Sequence, residues 1–175
     1  MILAASFILM AVLIAIDQLL KYIVVQNIDI GEVINLISFG DKRVLELTQI
    51  RNSGAAWSIM QGKTWFLVGL PIVVLIIGIG FMVVKRKTLG KFEMIIVSMI
   101  VAGGIGNLID RIRLKEVVDY ISFKLINFPV FNFADICVVV GELLLIFYVF
   151  FGDIISKKKT DEQGSEPEDK TDEQV

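Results

Sequence analysis

The chain has 175 residues, 55% of them hydrophobic, with 17 Lys and Arg against 19 Asp and Glu, no histidine and one cysteine. Its mean hydropathy of +0.75 lies outside the range of soluble domains, and its length suits one compact unit. Without histidine, serine–histidine and cysteine–histidine catalysis are excluded, as is a histidine-ligated metal. Cys137, alone, can form no disulfide within the chain and reads as a small buried hydrophobe.

Four apolar runs approach the roughly 20 residues that a helix needs to cross a bilayer. The first spans residues 3–25. It lacks a basic start and a small-residue cleavage site, so it reads as an uncleaved helix and not as a signal peptide. It carries Asp17, Gln18 and Lys21, and the acid and the base, four apart, share one helical face on which they can pair. Residues 26–63 follow. There VLELTQI (44–50) alternates polar and apolar residues as a half-buried strand does. RNSGAAWS (51–58) brings a turn signal in Asn-Ser-Gly. Trp57, Trp65 and Phe66 group where an aromatic belt would anchor the second span, residues 64–84.

Lys85, Arg86, Lys87 and Lys91 fill the short link to the third span, residues 93–112. That span ends in GGIGNLIDR (103–111), whose glycines permit close helix approach. In residues 113–131, VVDYISFKLINFPVF (117–131) is apolar but interrupted and is expected to lie on or dip into the membrane interface. The fourth span, residues 132–151, opens with Asn132 and Asp135 three apart. Glu142, seven residues further on, is expected to be neutral or paired inside the bundle. Lys157, Lys158 and Lys159 come next, and residues 160–175, polar and acidic, are too poor in apolar groups to pack. The chain thus divides into one domain over 1–156 and a disordered tail over 157–175. Two basic clusters on the same side place both termini in the cytoplasm.

With that orientation Asp17, Asn52, Asn107, Asp110, Asp119, Asn132 and Asp135 all fall in the outer half of the membrane or above it. A charge at bilayer depth costs from about 2.5 kcal/mol upward, so one shared polar cluster is the simplest account. Two aspartates held close share a proton, one activating water while the other polarises a carbonyl. Three compete for those two places: Asp110, Asp119 and Asp135. Two other readings stand beside this one. In a serine–lysine peptidase, Lys21 would activate Ser53 or Ser58. A proton-coupled transporter would carry polar residues on into the cytoplasmic half, which is almost wholly apolar here.

DQLLK (17–21), RNSGAAWS (51–58), GGIGNLIDR (103–111), VVDY (117–120) and FNFAD (131–135), in this order, resemble the motifs of bacterial lipoprotein signal peptidase, also called signal peptidase II. The departure is Ser53, where family members often have Thr or Asn. The resemblance implies an all-α membrane protein of four transmembrane helices with a small extracytoplasmic β-cradle and a mobile outer segment before the fourth. It implies an aspartic endopeptidase of the bacterial plasma membrane, active at the extracytoplasmic face, which cuts diacylated prolipoproteins just before the lipidated cysteine. Asp119 and Asp135 are then the catalytic pair. Asp17, Lys21, Asn52, Gly54, Gly103, Asn107, Asp110, Arg111, Asn132 and Ala134 support or line the site. No cofactor or metal is needed, the partners are the signal peptide and membrane lipid without nucleic acid, and the enzyme is expected to act as a monomer. Asp110, next to Arg111, sits where an ion pair or helix cap would give it a structural job.

Overall fold

The computed structural model of the chain describes residues 1–54, 64–126 and 128–163, the side chains of 64 and 152–163 excepted. Its helices are α1 (Ile2–Asn27), α2 (Thr64–Val84), α3 (Lys91–Leu114) and α4 (Phe133–Gln163), and its strands β1 (Val33–Phe39), β2 (Lys42–Asn52) and β3 (Val117–Phe123). Each helix has a stretch long and apolar enough to cross a membrane, with mean hydropathies from 1.9 to 2.9. In lipid a helix satisfies its own backbone groups, which is why such runs fold this way. The expected four spans are therefore present: the first three keep within two residues of their sequence-based bounds, and the fourth starts one residue later than expected.

α3 is the hub and packs against each of the other three helices. Two of its glycines make that possible. A Cβ on Gly103 would run into the carbonyl oxygen of Ala134, and one on Gly106 would lie 2.5 Å from Oδ2 of Asp17. Met10, Leu75, Met82, Met94, Val101 and Ala102 form an apolar core shared by α1, α2 and α3. A second core lies where the end of α1 meets β3: Val24, Ile28, Val118 and Tyr120. α3 ends at Lys115, in the left-handed region at φ 66°, whose N–H donates to the carbonyl of Arg111.

The strands form one antiparallel sheet in the order β1-β2-β3. The strand expected at residues 44–50 is the middle of β2, and the other two strands were not foreseen. β1 reads VINLISF, without alternation, and is exposed throughout as an edge strand. Four successive residues of β3 are buried, so its two faces differ too little to show a period of two. Between β2 and β3 the register passes from Leu47↔Ile121 to Ile50↔Asp119, three steps on one strand against two on the other. Such a bulge bends the strand and re-aims nearby side chains, and here it lies beside Asp119. Glu46 is buried in this sheet with ion pairs to Arg43 at 3.0 Å and to Lys124 at 3.2 Å.

Two expectations meet a different structure. Glu142 is exposed on α4 and has no ion pair or hydrogen bond among the described residues, so it is not paired inside the bundle. The helix turns Ala134, Cys137 and Gly141 inward, and a residue 100° on from Gly141 leaves that face. α4 also continues as helix to Gln163 through the first seven residues of the expected tail, 157–163, a stretch that includes the good helix formers Lys, Glu and Gln. Residues 164–175, Trp57 and Ser58 lie outside the described residues. Trp65 and Phe66 pair edge to face with centroids 5.8 Å apart at the start of α2.

Candidate active site

α1 and α3 end at the sheet, and α4 begins there. The polar residues that the sequence scattered over five segments meet at this end. Lys21 is 3% exposed, and its Nζ lies 2.9 Å from Asp17 Oδ2, 2.9 Å from Asp110 Oδ2 and 2.9 Å from Asn107 Oδ1. An ammonium has three donors, and all three are in use. Gln18 Nε2 adds contacts to Asp17, to the carbonyl of Gly106 and to Asp110 Oδ1. Asp110 Oδ2 also accepts from the backbone N–H of Val118 at 3.2 Å, which ties the third helix to β3.

The first turn of α4 shows why its sequence begins Asn-Phe-Ala-Asp. Its opening amides have no helical partner, and a side chain takes each one. Asn132 N–H donates to Asp135 Oδ2 at 3.1 Å, and Asp135 N–H returns the bond to Asn132 Oδ1 at 3.0 Å, a reciprocal capping box. Phe133 N–H donates to the Tyr120 hydroxyl at 3.3 Å, and Ala134 N–H to Asp17 Oδ1 at 3.0 Å. A helix N-terminus favours anions, and this one holds two carboxylates.

Asp119 and Asp135 come together across this turn. Asn132, 0% exposed, donates from Nδ2 to Asp119 Oδ1 at 2.7 Å while its backbone binds Asp135. Asn107 donates to Asp135 Oδ1 at 2.7 Å and accepts from Asn132 at 3.0 Å. Asn52 Nδ2 reaches Asp119 Oδ2 at 2.9 Å, and its Oδ1 accepts from Gly54 N–H at 2.9 Å. Arg111 donates to the Gly54 carbonyl at 3.3 Å. Neither aspartate forms an ion pair among the described residues. Burial, aided by the negative charge of Asp135, pushes the Asp119 carboxyl up to about 6 against hydrogen bonds from Asn52 and Asn132.

Both acids face a cavity of about 440 Å³. Asn52, Asn107 and Arg111 line its polar end, and Phe128, Pro129, Val130, Phe131, Ile136, Val139 and Val140 form an apolar wall. All twelve residues expected at the site therefore lie together: the pair, Asp17, Lys21 and Asp110, the three asparagines, Arg111, and Gly103, Ala134 and Gly54 in the supporting backbone. One expected contact is different. The ion-pair partner of Asp110 is Lys21, not Arg111, because adjacent residues on a helix do not face each other. Sequence reasoning left out the roles of Gln18 and Tyr120 and the apolar wall. For the wall the signal was present in the interrupted apolar run of residues 117–131; Tyr120 closes the VVDY motif, but a buried aromatic looks like core and its hydroxyl contact gave no signal of its own.

Fold and site define a class: a four-span membrane protein with two carboxylates at one end of the bundle, facing a largely apolar cavity. Comparison with known proteins makes this specific. The family described as signal peptidase (SPase) II matches residues 9–151. The lipoprotein signal peptidase of Lactiplantibacillus plantarum is 37% identical over 86% of this chain and 97% of its own length. That of Listeria monocytogenes is 44% identical over 80% and 89%. A bacterial membrane enzyme solved by the in meso method at 2.3 Å resolution superposes with a TM-score of 0.77 at 30% identity, covering 98% of this chain and 94% of the other. A second such enzyme, at 1.9 Å, gives 0.74 at 33% identity over 83% and 92%. The chain belongs to the signal peptidase II family, and it is a membrane protease.

Proposed function

We propose that this protein removes the signal peptide from diacylated prolipoproteins at the extracytoplasmic face of the bacterial plasma membrane, with Asp119 and Asp135 as its catalytic pair. One observation carries the reading. Two carboxylates that form no ion pair among the described residues are joined through Asn132 and line one cavity with an apolar wall. Asp119, raised to about 6, holds the shared proton, and Asp135, fixed by its helix cap, is the base. Asp135 takes a proton from water as the oxygen adds to the scissile carbonyl carbon, and Asp119 gives its proton to the carbonyl oxygen. When the C–N bond breaks, the leaving nitrogen takes the proton from Asp135, and Asp119 regains one from the tetrahedral hydroxyl. Arg111, which lines the same cavity, adds positive charge beside the negative charge that passes from Asp135 to Asp119.

The serine–lysine reading loses its base, because all three donors of Lys21 are committed to Asp17, Asp110 and Asn107. The orientation rests on Lys85, Arg86, Lys87 and Lys91 at the end of the bundle away from the sheet. The lipid rests on the apolar wall, where each buried CH₂ contributes about 0.8 kcal/mol. We also propose that the enzyme acts as a monomer, a reading supported by both acids and the apolar wall coming from this chain's own residues. The test is to incubate purified protein with a prolipoprotein, with and without its diacylglyceryl group, and to weigh the products. The lipidated precursor is to be cut just before the modified cysteine, and the unlipidated one far more slowly. Equal rates for both would remove the role of the lipid.

A further inference from the structure

The two acids of the proposed pair stand on different elements, Asp119 on β3 and Asp135 on α4, so something must fix their separation. Asn132 does part of this, but it sits in the loop turn before the helix and can move with it. Tyr120 follows Asp119 directly, and successive residues of a strand point to opposite faces. Its ring is 4% exposed and packs with Val24, Ile28 and Val118, so the end of α1 holds it. Its backbone N–H donates to the carbonyl of Phe131 at 3.0 Å, and its hydroxyl accepts from Phe133 N–H at 3.3 Å. Those two bonds bracket Asn132. The hydroxyl is the one cap of the α4 amides that comes from the strand bearing Asp119.

We infer that Tyr120 is a positioning residue for the reaction, whose hydroxyl sets the first turn of α4, and with it Asp135, against Asp119. The inference rests on Asp119 and Asp135 being the catalytic pair. Burial pushes the Tyr120 hydroxyl up to about 12, so it stays neutral over any working pH and its part is geometric. Its loss acts through Asp119. The charged groups around Asp119 are Asp135 on α4, which raises it, Lys21 on α1, which lowers it, and Arg111 on α3 at the same cavity, while β2 presents the neutral Asn52. If α4 tilts away, the influence of Asp135 weakens and Asp119 titrates lower.

Tyr120→Phe keeps the ring and removes only the hydroxyl, and with it the acceptor for Phe133 N–H. With full-length protein in lipid nanodiscs and a diacylated prolipoprotein, kcat is expected to fall about tenfold and KM to stay within about twofold. The alkaline limb of kcat/KM is to move to lower pH, and the thermal midpoint is to change little. A merely structural residue would lower the midpoint and the folded fraction while leaving kcat per folded molecule and the pH limb in place, and that result overturns the inference. Should Tyr120→Phe fail to insert, 3,5-difluorotyrosine at 120 keeps the size with a poorer acceptor; a smaller fall in kcat supports the inference, and an unchanged kcat overturns it. Asp119→Asn and Asp135→Asn in the same assay separate the two levels. If both abolish cleavage while the Tyr120 variants behave as wild type, only this inference fails. If either aspartate variant cleaves normally, the reading of the pair fails.

Discussion

The site contains two pairs of aspartates in opposite surroundings. Asp17 and Asp110 share the Lys21 ammonium, each at 2.9 Å, and are further tied to Gln18 and to backbone amides of Ala134 and Val118. Among the described residues Asp119 and Asp135 receive hydrogen bonds only from amide N–H groups, of Asn52, Asn132 and Asn107, and both line a cavity. A buried carboxylate given a cation is held in an ion pair and ties structure together. A buried pair given neutral donors keeps its proton mobile and can do acid–base work. Residue type is therefore uninformative here; the neighbour decides.

Several variants would break or sharpen that contrast. The largest effect is expected on the pair with neutral donors. Asp119→Asn and Asp135→Asn are each to reduce cleavage about a thousandfold or more, with the double variant little worse, as for groups that act as one unit. Independent, multiplying losses in a cleavage assay would show that they do not. Next comes the cation. Lys21→Met leaves two buried carboxylates uncompensated, and breaking such a cluster costs about 3–5 kcal/mol. Folded yield and thermal midpoint are to drop sharply, and an unchanged midpoint would remove the structural role of the cluster.

A smaller effect of opposite sign is expected at Asp119. Its folded value of about 6 stands above the ordinary aspartate value of 3.8, so the native state is favoured with the group protonated. That contribution is complete below about pH 4 and is lost as pH rises through about 6. Asp119→Asn removes the ionisation and is to raise stability at pH 8 by about 1–3 kcal/mol, with little gain at pH 4. Thermal melts at both pH values read the difference, and equal shifts would contradict it. The smallest effect belongs to Glu46, whose partners Arg43 and Lys124 are largely solvated, with side chains 61% and 48% exposed. Glu46→Gln is to cost about 1 kcal/mol or less in a denaturant titration, because exposed cations contribute little.

How much of this was legible depended on the kind of signal. The four spans were, since apolar runs of bilayer length allow no other fold. That these polar residues gather in one cluster was also legible, because intramembrane polar residues have few structural excuses and five ordered motifs resembled one family. The wiring was not. Asp110 and Arg111 are neighbours in sequence but point apart on the helix, and the true partner, Lys21, is 89 positions away on α1. β1 and β3 gave no period of two, one being exposed throughout and the other buried along most of its length. Glu142 shows the opposite failure. Seven residues put it on the side of Asp135, yet at that depth this side of α4 faces away from the bundle.

Turnover per folded molecule, compared between Asp110→Asn and Asp119→Asn, tests the central claim most directly. Each variant would be purified in lipid, its folded fraction measured, and its cleavage of a diacylated prolipoprotein followed by mass. Asp110→Asn is to give a poor folded yield but near-normal turnover from the molecules that fold. Asp119→Asn is to fold well and cut nothing. The reverse, a well-folded and inactive Asp110→Asn beside an active Asp119→Asn, would contradict the account and move the catalytic pair to Asp110 and Asp135.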